Sequence, residues 1–303
     1  MVKHDLGVEF KYLIVTDKDR SFGLSVNTAG VQSIKPNMLY PVSSHPSAYM
    51  IDSKKGRVLN EYQCVYIIDG EGVLSFENKK EIEISKGHLF VLFPGQRHSY
   101  HPLLSTGWTE YYIGFDGSII QNIVSNLFFS ADNQVIDVGI NAELETLFAR
   151  AVKVAESEKI GSQQYLSGIV LHILGLVLSI SKNKQYDDDA VVAKIEQAKM
   201  RMNQDVLKKI EFEALAKDLG MSYSWFRKVF KECTGYSPAK YFQEIKLRKA
   251  KQMLVESSHS VKEIAYQLDY ISLENFYALF KKSTGLTPLE YRTYGRKSDK
   301  ESK

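Results

Sequence analysis

One stretch of this chain is written twice. Phe226-x3-Phe230-Lys231-x2-Thr234-Gly235-x2-Pro238-x2-Tyr241 returns as Phe276-x3-Phe280-Lys281-x2-Thr284-Gly285-x2-Pro288-x2-Tyr291, fifty residues on, with seven identities in sixteen positions. Upstream, Leu215-Ala216-x2-Leu219 pairs with Ile264-Ala265-x2-Leu268 at an offset of 49, so the turn of the second copy is one residue longer. A repeat of this length demands a supersecondary unit made twice. Each copy reads as helix, tight turn, helix. The first helix, 211 to 219, buries Leu215, Ala216 and Leu219 at helical spacing, and Gly220 can take the left-handed conformation that ends it. Ser222 offers an N-cap to the second helix, and Gly235 closes it. Ser237-Pro238 and Thr287-Pro288 each place a hydroxyl cap before a proline, so each starts a further helix. Two helix-turn-helix units are therefore expected, joined by a helix over 238 to 255.

Sidedness says what the second helix of each unit can do. Phe226 and Phe230 are four apart and face the core, which leaves Ser224, Arg227, Lys228 and Lys231 on the opposite face, with Ser222 at its start. That face can enter a major groove. Arg227 has the fork geometry for guanine O6 and N7, Ser224 can donate or accept, and Lys231 is placed for phosphate. In the second unit Phe276 and Phe280 are the core pair, and the outward face reads Leu273, Glu274, Tyr277, Ala278 and Lys281. It is less basic and suits thymine methyls and a Glu274 contact to cytosine N4.

The charge is distributed to match. Residues 1–189 hold 17 basic and 22 acidic side chains and residues 190–303 hold 22 and 14, so a formal net charge of +3 conceals about −5 and +8. A basic C-terminal segment is the electrostatic footprint of a nucleic-acid binder. Cys64 and Cys233 form no CxxC or zinc spacing, which argues against a disulfide scaffold and for a reduced, cytoplasmic compartment. Met1-Val2-Lys3-His4-Asp5 does not open a signal peptide, and the apolar run from Ile169 to Ile180 falls short of a membrane span, so no membrane association is expected.

The N-terminal half reads as strands. The run from Glu61 to Ile68, a turn at Asp69-Gly70-Glu71-Gly72, Val73 to Glu77, a turn at Asn78-Lys79-Lys80, the alternating Glu81-Ile82-Glu83-Ile84, and Leu89 to Phe93 ending at Pro94-Gly95 indicate an antiparallel barrel or sandwich. From about Asn141 the period becomes helical. Leu166, Val170, Ile173, Val177 and Ile180 recur at spacings of 4, 3, 4 and 3. Two readings stay open: a helix buried against the barrel, or a seam between two copies. The dimer seam is the expectation carried forward.

With these residues in hand, the C-terminal part resembles the DNA-binding domain of AraC-family transcription regulators, through Leu215 to Ser222, Phe226 to Lys231 and Phe280 to Arg292. One departure is Asp269-Tyr270, where the family usually has Gly-Phe; Asp tolerates the left-handed conformation better than most residues. The N-terminal half resembles the cupin-type sensor domain of the same family, through Glu61 to Gly72, Lys86 to Tyr100 and Trp108 to Phe115. Catalytic cupins hold a metal with two histidines and a glutamate on the first motif and a histidine on the second. Only His98 matches here, too few ligands for a metal, so no cofactor is expected. The resemblance implies effector contacts at Tyr100, Glu110 and Tyr112, with Arg57 just ahead of the strand that floors the barrel and His98 beside them. Aromatic faces with a few polar groups suit a carbohydrate.

The expectation is an α+β chain: a cupin-like effector-binding barrel over 1–140, a helical dimerisation segment over 141–182, a linker over 183–190 and a double helix-turn-helix domain over 191–303. It is not expected to be an enzyme. Its partners would be double-stranded DNA, a small-molecule effector, a second copy of itself and, for an activator, RNA polymerase. The alternative is a cupin-type isomerase with an appended DNA-binding domain.

Overall fold

Strand alternation organises the N-terminal half. The structure is a computed structural model that describes residues 8–38, 40, 56–77, 80–184 and 189–301, and its contacts divide the chain into Met1–Gln185 and Tyr186–Lys303. Met1 to Asp5, Asn78, Lys79 and residues 185–188 of the expected linker lie outside the described residues.

The first unit runs β1 (Val8–Tyr12), α1 (Asp17–Arg20), β2 (Ser25–Ile34), β3 (Arg57–Val58), β4 (Tyr62–Phe76), β5 (Ile82–Ser85), β6 (His88–Leu92), β7 (Arg97–Pro102), β8 (Trp108–Asp116), α2 (Ser118–Ser125), β9 (Val135–Asp137), α3 (Ala142–Ser157) and α4 (Ser162–Lys184). Every strand pair among the described residues is antiparallel. One path orders the strands β1-β2-β8-β4-β6-β9, while β4 also pairs with β5 and β7, and β7 with β3.

The turn expected at Asp69 to Gly72 is absent, because β4 runs through it as one fifteen-residue strand. Its first part pairs with β6 and β8, and its second with β5 and β7. A bulge between Ile67 and Asp69, and Gly70 at φ +85°, bend the strand from one sheet to the other. No side chain fits at Gly70, where a Cβ would strike the Gly107 carbonyl.

Successive side chains on these strands serve two cores. Tyr62, Cys64 and Tyr66 on β4, Leu89 and Val91 on β6, and Tyr111, Ile113 and Phe115 on β8 pack on the helices. Val65 and Ile67, Phe90 and Leu92, and Trp108 and Tyr112 point the other way, into the barrel. The Tyr66 hydroxyl fixes where the helices begin, donating to the Gly139 carbonyl (2.9 Å) and accepting from Asn141 N–H (3.0 Å). Asn141 in turn caps α3.

Helix α4 corrects the dimer-seam expectation. Leu166, Val170, Ile173 and Val177 are completely buried in the unit's own core, and Ile180 packs against it. Polar residues hold the helix there. Gln163 accepts from Val26 N–H (3.0 Å) and donates to Val26 C=O (2.9 Å), and Ser167 donates to Leu24 C=O (2.7 Å). At 23 residues and a mean hydropathy of 1.6 over its best window, α4 is longer than the run from Ile169 to Ile180 alone indicated and meets the length and composition of a membrane-crossing helix. Asn183 and Lys184 end this helix, and Asp189 and Ala190 begin the next, so the outer residues of the expected linker are helical.

The second unit contains α5 (Asp189–Gln204), α6 (Phe212–Asp218), α7 (Tyr223–Thr234), α8 (Pro238–Glu256), α9 (Val261–Gln267), α10 (Leu273–Thr284) and α11 (Pro288–Glu301). Its repeat extends to atomic detail. Phe230 meets Tyr241 edge-on at 5.2 Å, and Phe280 meets Tyr291 at 5.4 Å. Thr234 donates to Phe230 C=O and accepts from Tyr236 N–H; Thr284 does the same with Phe280 and Leu286. The Thr-Gly pairs are thus helix terminators, with Gly235 and Gly285 left-handed. Asp269 takes the place of Gly220 at φ +56° and faces the buried ammonium of Lys246 at 3.7 Å.

A charge on the α4 seam has no room to be solvated. Val170→Asp is expected to destabilise the N-terminal unit by about 4 kcal/mol or more, seen as loss of its cooperative denaturation. A folded, monomeric Val170→Asp would return the seam to a surface role.

Candidate functional site

Two sets of side chains stand out, one in each unit. On α7, Phe226, Val229 and Phe230 are buried, and Ser224, Arg227, Lys228 and Lys231 are exposed together. The Ser222 hydroxyl accepts from Trp225 N–H (3.4 Å), so it serves the N-cap. Arg227 lies over the Tyr223 ring (5.7 Å) and Lys228 over Trp225 (5.6 Å), which props both cations away from the core. On α10, Glu274, Ala278 and Lys281 are exposed. Leu273 and Tyr277 depart from the expectation: both are half-buried and pack against the domain core. They flank the Phe276/Phe280 pair closely enough to share its apolar contacts. Two residues went unnoticed. Trp225 and Asn275 each precede the first phenylalanine of their pair and are exposed at equivalent positions. Counting only residues opposite the phenylalanines hides these flanking positions.

The barrel brings Arg57, His98, Tyr100, Glu110 and Tyr112 together. All five are at most 9% exposed. Pairing of β3 with β7 sets Arg57 directly across from His98. Arg57 Nη2 donates to Gln63 Oε1 and to the Tyr100 hydroxyl, both at 3.1 Å, and its Nε donates to His98 Nε2 at 3.4 Å. His98 Nδ1 lies 2.9 Å from Gln96 C=O, so the ring is neutral with its proton on Nδ1. Burial, with help from Arg57, lowers its pKa from 6.5 to about 4. The Tyr112 ring lies over Gly30, where any side chain would collide with it.

Above Arg57 the rings of Tyr40, Tyr100 and Trp108 form a box, with Tyr40 and Tyr100 each 6.0 Å from Trp108. Tyr40 donates to Glu110 Oε1 at 3.4 Å. Glu110 Oε2 and Trp108 Nε1 are buried without a hydrogen-bond partner among the described residues. A carboxyl oxygen and an indole N–H, left unsatisfied beside three aromatic faces, are polar contacts of the kind a hydroxyl can meet. Burial pushes Glu110 up from 4.5 to about 8 against the opposing pull of Arg57, and pushes Tyr100 up to about 12. Tyr112 is also raised, chiefly by burial. Among the described residues no group of three or more His, Cys, Asp or Glu could hold a metal ion. Tyr40, Gln63 and Trp108 were missed by sequence reasoning, although Trp108 stands two residues before Glu110 on the same face of β8.

Comparison with known proteins covers both units. Residues 49–174 match the model of an AraC-like ligand binding domain, and residues 215–294 that of a helix-turn-helix domain. The lactose operon transcription activator of Staphylococcus xylosus is 27% identical over 231 residues, 75% of this chain and 81% of that protein. The HTH-type transcriptional activator RhaR of Mannheimia succiniciproducens is 23% identical over 240 residues, 77% of this chain and 86% of its own. The raffinose operon transcriptional regulatory protein RafR of Pediococcus pentosaceus is 24% identical over 284 residues, 90% and 95% of the two chains.

The buried carboxyl gives the barrel a pH signature. Glu110 holds its proton to higher pH folded than unfolded, so its contribution to stability is complete below about 4.5 and is lost as pH rises through about 8. His98 acts oppositely: its contribution is complete above about 6.5 and is lost as pH falls through about 4. Glu110→Gln is therefore expected to flatten the decline of melting temperature between about pH 5 and pH 8. An unchanged slope would assign that decline to other groups.

Proposed function

The chain belongs to the AraC family of transcription regulators, and on that premise we propose which surfaces read DNA and which ligand class the barrel senses. The chain is a DNA-binding regulator that responds to a small-molecule effector. The DNA surfaces are the exposed faces of α7 and α10. On α7, Arg227 reads a base edge, Ser224 and Lys228 flank it, and Lys231 binds phosphate. On α10, Glu274 and Lys281 face the duplex, and Leu273 and Tyr277 supply apolar contact from the rim of the core. Ser222 acts through the cap that fixes the start of α7.

The effector site is the barrel cluster of Arg57, His98, Tyr100, Glu110 and Tyr112. The observation that carries this reading is the unsatisfied pair, Glu110 Oε2 and Trp108 Nε1, inside the aromatic box. A sugar supplies what the box lacks: C–H faces for the rings, and hydroxyls that both donate and accept. Relatives named for lactose and raffinose operons support that class. All three relatives are named as regulators, which favours a non-enzyme over an isomerase.

A homodimer in the cytoplasm completes the proposal, with RNA polymerase as partner at activated promoters. The seam being internal, the second copy is assigned to the outer face of α4, where Tyr165 and Leu171 are exposed and a Cβ at Gly168 or Gly175 would meet nothing within 4 Å. Sedimentation equilibrium of the full chain reads this state directly, and a monomer at micromolar concentration would remove it.

Arg227→Ala is expected to cost roughly 1–3 kcal/mol on the cognate site and to relax one base position. Lys231→Ala should weaken all sequences alike and shallow the salt dependence. Titrations of labelled operator at two salt concentrations separate the two effects. Unchanged affinity in both variants would remove α7 from the DNA interface.

A further inference from the structure

A second polar recess opens in the N-terminal unit, lined by residues outside the Arg57 to Glu110 cluster. It has a volume of about 640 Å³ and lies where the end of β1, the bulge of β2, the loop entering β4 and the end of β8 meet. Glu61 is the notable side chain in it. The residue is 5% exposed, yet among the described residues it has no ion-pair partner. Oε2 accepts from Asn27 Nδ2, and Oε1 meets the Thr28 hydroxyl at 3.5 Å. A buried carboxyl hydrogen-bonded only by neutral groups is costly, and burial raises its pKa against the opposing pull of the Asn27 bond and of the Arg57 charge. Packing alone would be served more cheaply by an amide or an apolar side chain over Gly114.

The rest of the lining completes a donor and acceptor pattern. Asp116 uses Oδ1 to accept from Gly117 N–H (2.7 Å), which leaves Oδ2 for another donor. Arg20 is exposed and makes no ion pair among the described residues. Leu13 and Leu59 supply apolar wall. Two carboxyls, a guanidinium, side-chain amides and aliphatic surface lining one recess suit hydroxyls, each of which can donate to a carboxyl oxygen and accept from a guanidinium or amide N–H. A neutral ligand of this kind satisfies both without a net charge to balance, and the volume falls within the usual range for small-molecule sites.

We propose that this recess is a second small-molecule site, taking a neutral polyhydroxylated ligand of up to two rings, independent of the aromatic box. The inference rests on reading the N-terminal unit as an effector domain. The recess is also placed to be felt by α4. Asn27, which binds Glu61, sits in the β2 bulge next to Val26, and both backbone groups of Val26 are held by Gln163 of α4. A ligand that draws on Asn27 and Glu61 acts on the same short segment that α4 grips.

Calorimetric titration of the full chain with lactose tests this, with tryptophan fluorescence in a Trp225→Phe background reporting Trp108 and the aromatic box separately. Two binding events are expected. Glu61→Gln and Asp116→Asn should each weaken one event at least tenfold while leaving the Trp108 response unchanged, and Glu110→Gln should do the reverse. Using both recess variants guards against one of them failing to fold. A single event, lost in Glu110→Gln and untouched in both recess variants, would overturn the second site while leaving the sugar reading intact. Absence of any binding to lactose at tens of millimolar would overturn both. Binding of putrescine but not lactose, lost in Glu61→Gln, would overturn the neutral ligand class.

Discussion

Two pairs of phenylalanines, each four residues apart on a helix, fix the working surface of the C-terminal unit. Phe226, Phe230, Phe276 and Phe280 are all completely buried. Each pair closes against the tyrosine that opens the next helix, at 5.2 and 5.4 Å. Rotating α7 or α10 about its axis would expose a ring face worth about 2 kcal/mol or more. The outward residues are therefore set by what the inward ones cannot give up. This is why Arg227, Lys228 and Lys231 share one exposed face.

The N-terminal unit obeys a different constraint. Alternation on β4, β6 and β8 assigns every second residue to the helices and the others to the barrel, so the polar residues that face inward must satisfy one another or a ligand. Arg57 is the centre of that inner set, bonded to Gln63, His98 and Tyr100 and pulling on Glu61 and Glu110 electrostatically. Glu110 nevertheless has an oxygen without a partner among the described residues. Interiors rarely tolerate such a group unless it has a task, and that observation is what supports the proposed effector site.

The helix-turn-helix units were legible in the sequence because their determinants are local: hydroxyl caps, left-handed glycines and a helical period. The barrel was legible as antiparallel strands, and as a cupin-like barrel through the family resemblance, but the path of its longest strand was not. Gly70 and Gly72 look like a turn, yet they let a single strand change sheets, a distinction set by the distant backbone of Gly107. The α4 seam had the right spacing and the wrong partner, since a 4, 3 pattern says that a face is covered without saying by what. Among the effector residues, Arg57 and His98 face each other only through the β3 and β7 pairing, and Tyr40 reaches Glu110 across seventy residues of chain. No sequence window contains those contacts, whereas Trp108 could have been found from Glu110 by strand alternation alone.

Both helix-turn-helix units of one chain are proposed to face the duplex together, and hydroxyl-radical footprinting of the full chain on its operator reads this out. Two protected segments per protomer, about one helical turn apart on the same face of the DNA, are expected. A single protected segment per protomer, unchanged when Lys281 and Glu274 are both replaced by alanine, would contradict it.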